Sequence, residues 1–331
     1  MVKIRSVLCS SAAALIFTSC TGSRHDANES YVLVAANTQI SYWQAAAAGL
    51  RQSATEMKVK AEMVGPDRYD PNAERSEFVR AVQRKPTGIL ISPTNADLFT
   101  SEINSAIQQG VPVITIDSDA PTSKRLLFIG TDNYNAGRQG GQLLVKLLNG
   151  KGNVVMFTYP NQLNLSERQH GYESVLDDHP DIKVTQAVDI KGDPTVAFDT
   201  AEQLLQSKAK VDAFVCLEAV ACPEIGEIVN RTNTAGKITI LAMDTDQRTL
   251  TWIQKGVISA TIAQRPYTMA YFGTKLLDQL HHQPPASLTE NMAQQSFSPL
   301  PTFVDTGSFI IDKATAATHL QQNQAHGITT E

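Results

Sequence analysis

The sequence predicts an α/β protein built from two doubly wound units, each with a parallel sheet. Short, continuous apolar runs alternate with stretches of helical periodicity, which is typical of parallel sheets covered on both faces. The alternation runs from residue 31 to about residue 131 and restarts near residue 152. The sequence GKGNV at 150–154 marks the join. A chain of 331 residues is long enough to form two such cores.

Each element is predicted from its own pattern. The strand candidates are short apolar runs, at 31–36, 59–64, 88–92, 111–116, 154–158, 182–188, 213–216, 238–243 and 258–263. The helix candidates repeat apolar residues at helical spacing, at 42–57, 71–84, 96–109, 135–149, 166–178, 194–207, 223–231 and 247–255. Asp70 before Pro71 predicts a helix N-cap, and Gly110 predicts a helix C-terminus.

The N-terminal segment predicts export. Two basic residues precede an apolar run from Val7 to Phe17, which is too short to span a membrane and is followed by small residues. Residues 1–19 are therefore expected to be a signal peptide. The ending IFTSC resembles the bacterial lipobox, so Cys20 is expected to carry a lipid anchor, with 20–30 as a polar tether. Ordinary cleavage nearby is the alternative.

Charge and cysteine content limit the partners further. The net charge of −5, with no basic block, gives no support for nucleic-acid binding. Outside the cytoplasm Cys216 and Cys222 could form a disulfide, but the preferred interpretation is two buried thiols. Their spacing, without a nearby His, does not suit zinc.

Polar residues follow the predicted strands, at the sheet edge where open parallel sheets bind ligands. They lie at 37–43, 92–95, 117–119, 159–164, 217–219 and 244–246. If the two halves face each other, these residues converge on one cleft. Ser92 and Asn164 are candidate ligand contacts because they follow strands at this edge. Acids such as Asp117 could hold a metal, act in catalysis, bind a polar ligand or cap a helix.

Metal binding and catalysis find little support in the pattern. The seven His residues have no ligand spacing, and no calcium-loop or phosphate-loop sequence is present. GRQGGQ at 137–142 fits helix packing instead. No nucleophile elbow, zinc-hydrolase motif or Cys–His pair indicates an enzyme. A glycosidase with carboxylates across the cleft is the remote enzymatic alternative. No cofactor is expected.

Seven segments, in order, resemble the periplasmic sugar-binding proteins of the ribose and galactose type, which are receptors of ABC importers. The segments are QISYWQAAAAGLRQSA, GILISPTNAD, GVPVITIDSDAP, IGTDNYNAGRQGGQLL, ERQHGYESVL, AMDTDQ and GVISATIAQRPYTMAYFG. The resemblance covers roughly residues 30–285. It implies the type I periplasmic binding protein fold, in which two Rossmann-like lobes are joined by a three-crossover hinge.

The resemblance also implies that each lobe is discontinuous in sequence. The N-terminal lobe is expected at 31–131 plus 265–290, the C-terminal lobe at 132–264 plus 291–312, and a tail at 313–331. The expected hinge residues are Thr131, Asp132 and Gln264, with a third crossover between the 290s and Thr306.

Several site residues follow from the same resemblance. Tyr42 and Trp43 match the aromatics that pack on a sugar ring, although Trp43 could instead belong to the core. Asp117 and Asp244 match the carboxylates that accept sugar hydroxyls from the two lobes. Gln264 matches a hinge Gln that touches ligand.

Departures from the family pattern affect the remaining positions. Arg168 matches the second Arg of a helix-start motif, but Ser166 replaces the first. Ser118 stands where ribose-type members carry Arg, which argues against ribose itself. Glu218 replaces an Asn, and it either accepts a sugar hydroxyl or caps the following helix.

The predicted function is a receptor that closes on a neutral sugar or polyol and then docks on an ABC permease. The protein is expected to be a monomer in the periplasm or at the cell surface, attached to the membrane by lipid. A sensor of the same fold, feeding a chemoreceptor or histidine kinase, is the alternative.

Overall fold

The computed structural model describes residues 25–207, 209–284, 296 and 298–328. The predicted signal peptide, Cys20 and the first residues of the predicted tether lie outside these ranges. Within the described ranges, no helix is both long and apolar enough to cross a membrane.

The described residues form two six-stranded sheets with helices on their faces. Strands β1 to β12 are Ser30–Val34, Lys60–Val64, Gly88–Ile91, Val113–Ile116, Phe128–Gly130, Gly152–Thr158, Ile182–Asp189, Ala213–Cys216, Thr239–Met243, Ala260–Ala263, Phe303–Asp305 and Phe309–Ile311. Helices α1 to α10 are Ser41–Met57, Pro71–Gln83, Ala96–Gln108, Asn133–Leu147, Leu163–Leu176, Pro194–Gln206, Ala221–Arg231, Gln247–Lys255, Pro266–His282 and Ala316–Ala325.

Both sheets have the same strand order. The first has the order β11-β5-β4-β3-β1-β2, and the second has β12-β10-β9-β8-β6-β7. Strand pairing is parallel except between β10 and β12. In each sheet the strand order reverses beside the first strand of the lobe, and ligands bind beyond the carboxyl ends of strands at such a point. The predicted fold class is confirmed.

Local sequence signals account for the element boundaries. The Asp70 side chain accepts hydrogen bonds from the N–H groups of Asn72 and Ala73, so it caps α2 as predicted. Gly110 follows α3 with φ +81°, a left-handed conformation that glycine adopts without steric cost. The central strands are buried on both faces, and β4, for example, is buried along its whole length. The edge strands β2 and β7 are partly exposed.

Three segments connect the lobes. The first, Thr131 and Asp132, lies between β5 and α4, and the second, Gln264 and Arg265, lies between β10 and α9. The third, at 306–308, lies between β11 and β12. A hydrogen bond joins the first segment to the end of β11, directly before the third, because the Asp305 carboxylate accepts from the N–H of Asp132 at 3.1 Å.

The predicted boundary of the last crossover requires a correction. The prediction assigned all of 291–312 to the C-terminal lobe, but Phe303–Asp305 pairs with β5 of the first sheet. The Phe303 ring stacks on Phe128, with 5.2 Å between ring centroids. The second lobe therefore resumes only after 306–308. A three-residue strand is too short to show a period in the sequence.

The preferred interpretation of the two cysteines was wrong, because Cys216 and Cys222 form a disulfide. Cys216 ends β8, Cys222 lies in the first turn of α7, and their Cα atoms are 5.8 Å apart, within the range that a disulfide spans. The turn between β8 and α7 brings together two residues that the sequence places in separate elements.

Candidate ligand-binding cleft

The carboxyl ends of the two sheets face each other across a cleft. Eight of the ten predicted ligand-binding residues line it, namely Tyr42, Trp43, Asp117, Asn164, Arg168, Glu218, Asp244 and Gln264. Ser92 and Ser118 do not line it. The Ser92 hydroxyl lies behind Asp117 and donates to its carboxylate at 2.8 Å, and Ser118 is fully buried.

Asp117, directly after β4, is held by donors from its own lobe. The Tyr42 hydroxyl donates to one carboxylate oxygen at 2.7 Å, and Ser92 donates to the other. Burial raises the pKa of Asp117 above its ordinary value, and these two hydrogen bonds oppose that rise. Each oxygen retains a lone pair for a further donor. By contrast, Asp119 pairs with Arg125 and does not line this cleft.

Asp244 is the counterpart of Asp117 in the second lobe. It follows β9, and its N–H donates to Ile262 on the neighbouring strand at 2.8 Å, just as Asp117 donates to Ile129 at 3.2 Å. Both Asp residues have positive φ, 67° and 63° respectively, a conformation that Asp tolerates better than most residues. The two lobes thus use the same backbone geometry to aim a carboxylate into the cleft.

The Asp244 carboxylate is held by the crossover residue Gln264, whose amide nitrogen donates to it at 3.1 Å. Burial raises the pKa of Asp244 to about 7; nearby Arg168 lowers it and nearby Asp117 raises it further. The Gln264 carbonyl oxygen is buried and accepts no hydrogen bond from the described residues. An unpaired buried acceptor in the cleft is a position where a ligand donor fits.

Arg168 is the cationic residue of the cleft, and its side chain is almost completely buried. Its guanidinium donates to the carbonyl of Leu217 and to the Asn133 side chain, the latter at 2.5 Å. Its Nε is buried and has no acceptor within the described part of the chain. A close approach of α4 to α5 fixes its backbone, because a Cβ at Gly137 would overlap the Arg168 carbonyl.

Glu218 both caps a helix and lines the cleft. Its two oxygens accept the N–H groups of Val220, at 2.6 Å, and Ala221, at 2.9 Å, at the start of α7. The capping alternative is therefore realised in the structure. Burial raises the pKa of Glu218 to about 7, although these two hydrogen bonds oppose the shift. Each oxygen keeps acceptor capacity for a ligand hydroxyl.

The aromatic residues at the start of α1 have two roles. Trp43 belongs to the core of the first lobe and also lines the cleft. Tyr42 meets it edge to face, with ring centroids 5.1 Å apart, while its hydroxyl orients Asp117. Tyr69 also lines the cleft, but the sequence did not predict it. Tyr69 lies five residues after β2, whereas the prediction selected residues that directly follow a strand. Gln162 lies within a predicted segment but was not selected.

The structure has the cleft closed. The Ser41 hydroxyl of α1 donates across the cleft to Asp246 at 3.0 Å. Tyr69 of the first lobe packs against Gly192 of the second, and its ring lies 6.3 Å from that of Tyr159. These contacts explain why Asp117 and Asp244 are both buried even though they follow strands of different lobes.

Comparison with known proteins identifies the family. The periplasmic binding protein domain matches residues 31–282. The chain belongs to this family. It is 26% identical to the ribose import binding protein RbsB of Bacillus subtilis over 238 residues, which cover 71% of this chain and 75% of that protein.

Solved structures of binding proteins of ABC transporters have the same architecture. A sugar-binding protein of a sugar ABC transporter from Bacillus halodurans has a TM-score of 0.77 and 33% identity, and covers 88% of this chain and 100% of its own. An ABC transporter solute binding protein from Burkholderia graminis, in complex with D-arabinose, has a TM-score of 0.79 and 26% identity. The match covers 88% of this chain and 98% of the Burkholderia chain. The resemblance seen in the sequence is confirmed.

In this periplasmic binding protein the cleft offers mainly hydrogen-bond acceptors. Three carboxylates, those of Asp117, Glu218 and Asp244, line it together with the one guanidinium of Arg168. Such a lining suits a ligand rich in hydroxyl donors and repels an anion. Among the described residues, one group of His and acidic side chains has its ligand atoms within 4.8 Å of one another. This group does not line the cleft.

Proposed function

We propose that this protein is an extracytoplasmic receptor that binds a neutral sugar or related polyol between its lobes and delivers it to an ABC importer. The single observation that carries the proposal is the pair Asp117 and Asp244. These carboxylates come from equivalent strand ends of the two lobes and line one closed cleft. A ligand contacts both only when the lobes are together, so its binding favours the closed form.

The proposed ligand is a neutral polyhydroxyl compound. Hydroxyl groups of the ligand would donate to Asp117 and Asp244, and a ligand oxygen would accept from the Arg168 Nε. A ligand hydroxyl would donate to the unpaired carbonyl of Gln264. Trp43 offers an apolar face for the ring carbons. An acidic sugar is disfavoured because it would bring a fourth carboxylate next to one guanidinium.

Delivery and anchoring belong to the same proposal. Family membership supports an extracytoplasmic location, and the relatives described above are named as binding proteins rather than enzymes. We propose that Cys20 carries the lipid, and that the closed monomer presents surfaces of both lobes to a membrane permease. The crossovers at Thr131, Asp132 and Gln264 would be the hinge.

The first test is a thermal-shift screen of the mature protein against neutral sugars, sugar acids and amino acids. A ligand with a micromolar Kd at millimolar concentration stabilises the native state by about 4 kcal/mol. For the sugar that binds, Asp117→Asn and Asp244→Asn should each weaken binding by about 10- to 100-fold, since a charge-assisted hydrogen bond contributes about 1.5–3 kcal/mol.

The matched control is Asp212→Asn, because Asp212 is a hydrogen-bonded acid outside the cleft. Its affinity for the sugar should equal that of the wild type. The proposal fails if no sugar or polyol raises the melting temperature while another ligand class does. It also fails if Asp212→Asn weakens binding as much as the two cleft variants.

A further inference from the structure

Two histidines and two acids converge on the first lobe, far from the cleft. His25 and Glu29 lie just before β1, and Asp278 and His282 lie in the last turns of α9. One ligand atom from each residue lies within 4.8 Å of the other three. Glu29 and Asp278 are buried, and the two His residues are half-buried.

The distances between these atoms match the edges of a small coordination sphere. His25 Nε2 lies 3.0 Å from Asp278 Oδ1, and His282 Nε2 lies 3.4 Å from Glu29 Oε2 and 3.7 Å from Asp278 Oδ1. A tetrahedral zinc site with bonds of about 2.0–2.1 Å separates its ligand atoms by roughly 3.4 Å. These three separations are close to that value, and every pair of the four ligand atoms lies within 4.8 Å. The shortest of them, between His25 and Asp278, is a direct hydrogen bond that a bound ion would replace.

The hydrogen bonding of the cluster is incomplete. Glu29 is 6% exposed, yet its Oε2 is buried and accepts no hydrogen bond from any described residue. The nearest imidazole nitrogen, His282 Nε2, is also buried and unpaired in the part of the chain that the structure describes. These two atoms lie 3.4 Å apart without forming a hydrogen bond, so both keep unused hydrogen-bonding capacity among the described residues.

The outer contacts of the cluster suit a metal site. The Tyr31 hydroxyl donates to Asp278 Oδ1 at 3.0 Å, and the Asp26 N–H donates to the second oxygen of Glu29 at 2.7 Å. Such bonds orient the carboxylates and leave their other lone pairs for a cation. Imidazole nitrogens favour zinc and similar transition metals, whereas magnesium and calcium prefer oxygen ligands.

We propose that His25, Glu29, Asp278 and His282 bind one Zn²⁺ ion. The ion would fasten the second half of the predicted tether, which contains His25 and Glu29, to the end of α9. Sequence spacing could not predict this site, because His25 and Asp278 are 253 residues apart. The site lies before β1, and the cleft lies beyond the carboxyl end of the same strand. Five strand residues at about 3.3 Å each separate the two sites by roughly 15 Å.

The test is a titration of the mature protein, purified without a polyhistidine tag and stripped of metal with a chelator, with Zn²⁺ alone. Calorimetry should give one ion per chain, with no competition from Mg²⁺ or Ca²⁺. His25→Ala, His282→Ala and the isosteric Glu29→Gln should each weaken Zn²⁺ binding at least tenfold. Co²⁺ should produce the visible absorption bands of a four-coordinate site in the wild type and not in these variants.

The matched control is His281→Ala, because His281 is an exposed imidazole next to His282 and outside the cluster. This variant should bind Zn²⁺ like the wild type. Metal-free melting curves would separate loss of a ligand from loss of the fold. The proposal is overturned if the wild type shows no saturable binding, or if the cluster variants retain wild-type affinity. Because the two sites are separate, a failure of sugar binding would leave this result unaffected.

Discussion

At the scale of single residues, the positive charge of Arg168 offsets the negative charges of three carboxylates in one closed cleft. Its guanidinium is 1% exposed, and its nearness lowers the pKa of Asp117, Glu218 and Asp244 against the effect of burial. Two of its nitrogens are fixed by Leu217 and Asn133, so the charge cannot move away when the cleft opens. Arg168 is therefore a fixed cation in the second lobe.

Arg168→Lys should destabilise the protein although it preserves the charge. Lysine lacks the planar fork that reaches both Leu217 and Asn133, and hydrogen bonds to charged groups contribute about 1.5–3 kcal/mol each. We expect the free energy of unfolding in urea to fall by roughly 2–4 kcal/mol. Arg248→Lys is the matched control, since the pairing of Arg248 with Glu224 is exposed and should change stability by less than about 1 kcal/mol. Equal losses in the two variants would contradict this role.

The residues of the site could be predicted from the sequence, but their geometry could not. Asp117 and Asp244 follow apolar strands and match the motifs of a known family, so both were identified. Their positive φ angles depend on hydrogen bonds to neighbouring strands, at Ile129 and Ile262, which no local pattern contains. Tyr69 reaches the cleft from a loop whose path only the tertiary structure defines.

At the scale of elements, the packing of α4 on α5 positions Arg168. Gly137 on α4 lies against the backbone of Arg168, and Gly171 on α5 lies against the Tyr134 carbonyl on α4. Glycines at both contacts allow the helix backbones to approach more closely than any side chain would permit. The glycines of GRQGGQ therefore serve helix packing, as predicted, and through that packing they support the site.

Gly137→Ala should weaken both the fold and ligand binding. The added methyl group would overlap the Arg168 carbonyl and push α5 outward, and overpacking of this kind costs about 1–3 kcal/mol. Urea unfolding and calorimetry with the bound sugar should both register the change. The control is Gln142→Ala, at an exposed position of the same helix. Unchanged stability and affinity in Gly137→Ala would refute the coupling between helix packing and the cleft.

The elements that the sequence did not predict are those without a local signature. β5, β11 and β12 are three residues long, which is shorter than the roughly four residues over which a strand pattern can be read. The nine longer strands and the principal helices can be predicted because the strands form apolar runs, which are continuous where burial on both faces requires it, and the helices repeat apolar residues at helical spacing. The disulfide between Cys216 and Cys222 required the path of the turn after β8, which spacing alone does not give.

At the scale of the whole molecule, contacts between the lobes stabilise the closed form. Gly192 of the second lobe has φ +72°, and a Cβ there would lie 2.5 Å from the Tyr69 Cβ of the first lobe. Gly236, also in the second lobe, has φ +77°, and a Cβ there would meet no described atom within 4 Å. The two glycines thus share a left-handed backbone conformation, and of the two only Gly192 faces the other lobe.

Gly192→Ala should therefore weaken sugar binding at least tenfold, while Gly236→Ala should leave it unchanged. Both variants place alanine at positive φ and should lose a similar free energy of unfolding, about 1 kcal/mol. Only Gly192→Ala introduces a clash that exists in the closed form and is relieved by opening. Calorimetry gives the affinities, and small-angle scattering gives the radius of gyration. Equal affinities in the two variants would show that this contact does not control closure.

Closure without ligand should depend on pH, because the closed cleft buries acids that the open cleft hydrates. Burial raises the pKa of Asp244 and of Glu218 to about 7, compared with ordinary values of about 4. Between about pH 4 and about pH 7, the two acids hold protons in the closed form and are ionised in the open and unfolded forms. The resulting preference for the closed form is fully present below about pH 4 and is lost as the pH rises through about 7.

We therefore expect the radius of gyration of the ligand-free protein to increase between pH 5 and pH 8, with a parallel fall in the free energy of unfolding. The double variant Asp244→Asn, Glu218→Gln replaces both acids with neutral amides and should remain compact across this range. Saturating sugar should keep the wild type closed at pH 8, because ligand hydroxyls then donate to the ionised carboxylates. A ligand-free wild type whose radius stays constant, or decreases as the pH rises, would show that these two acids do not couple proton binding to closure.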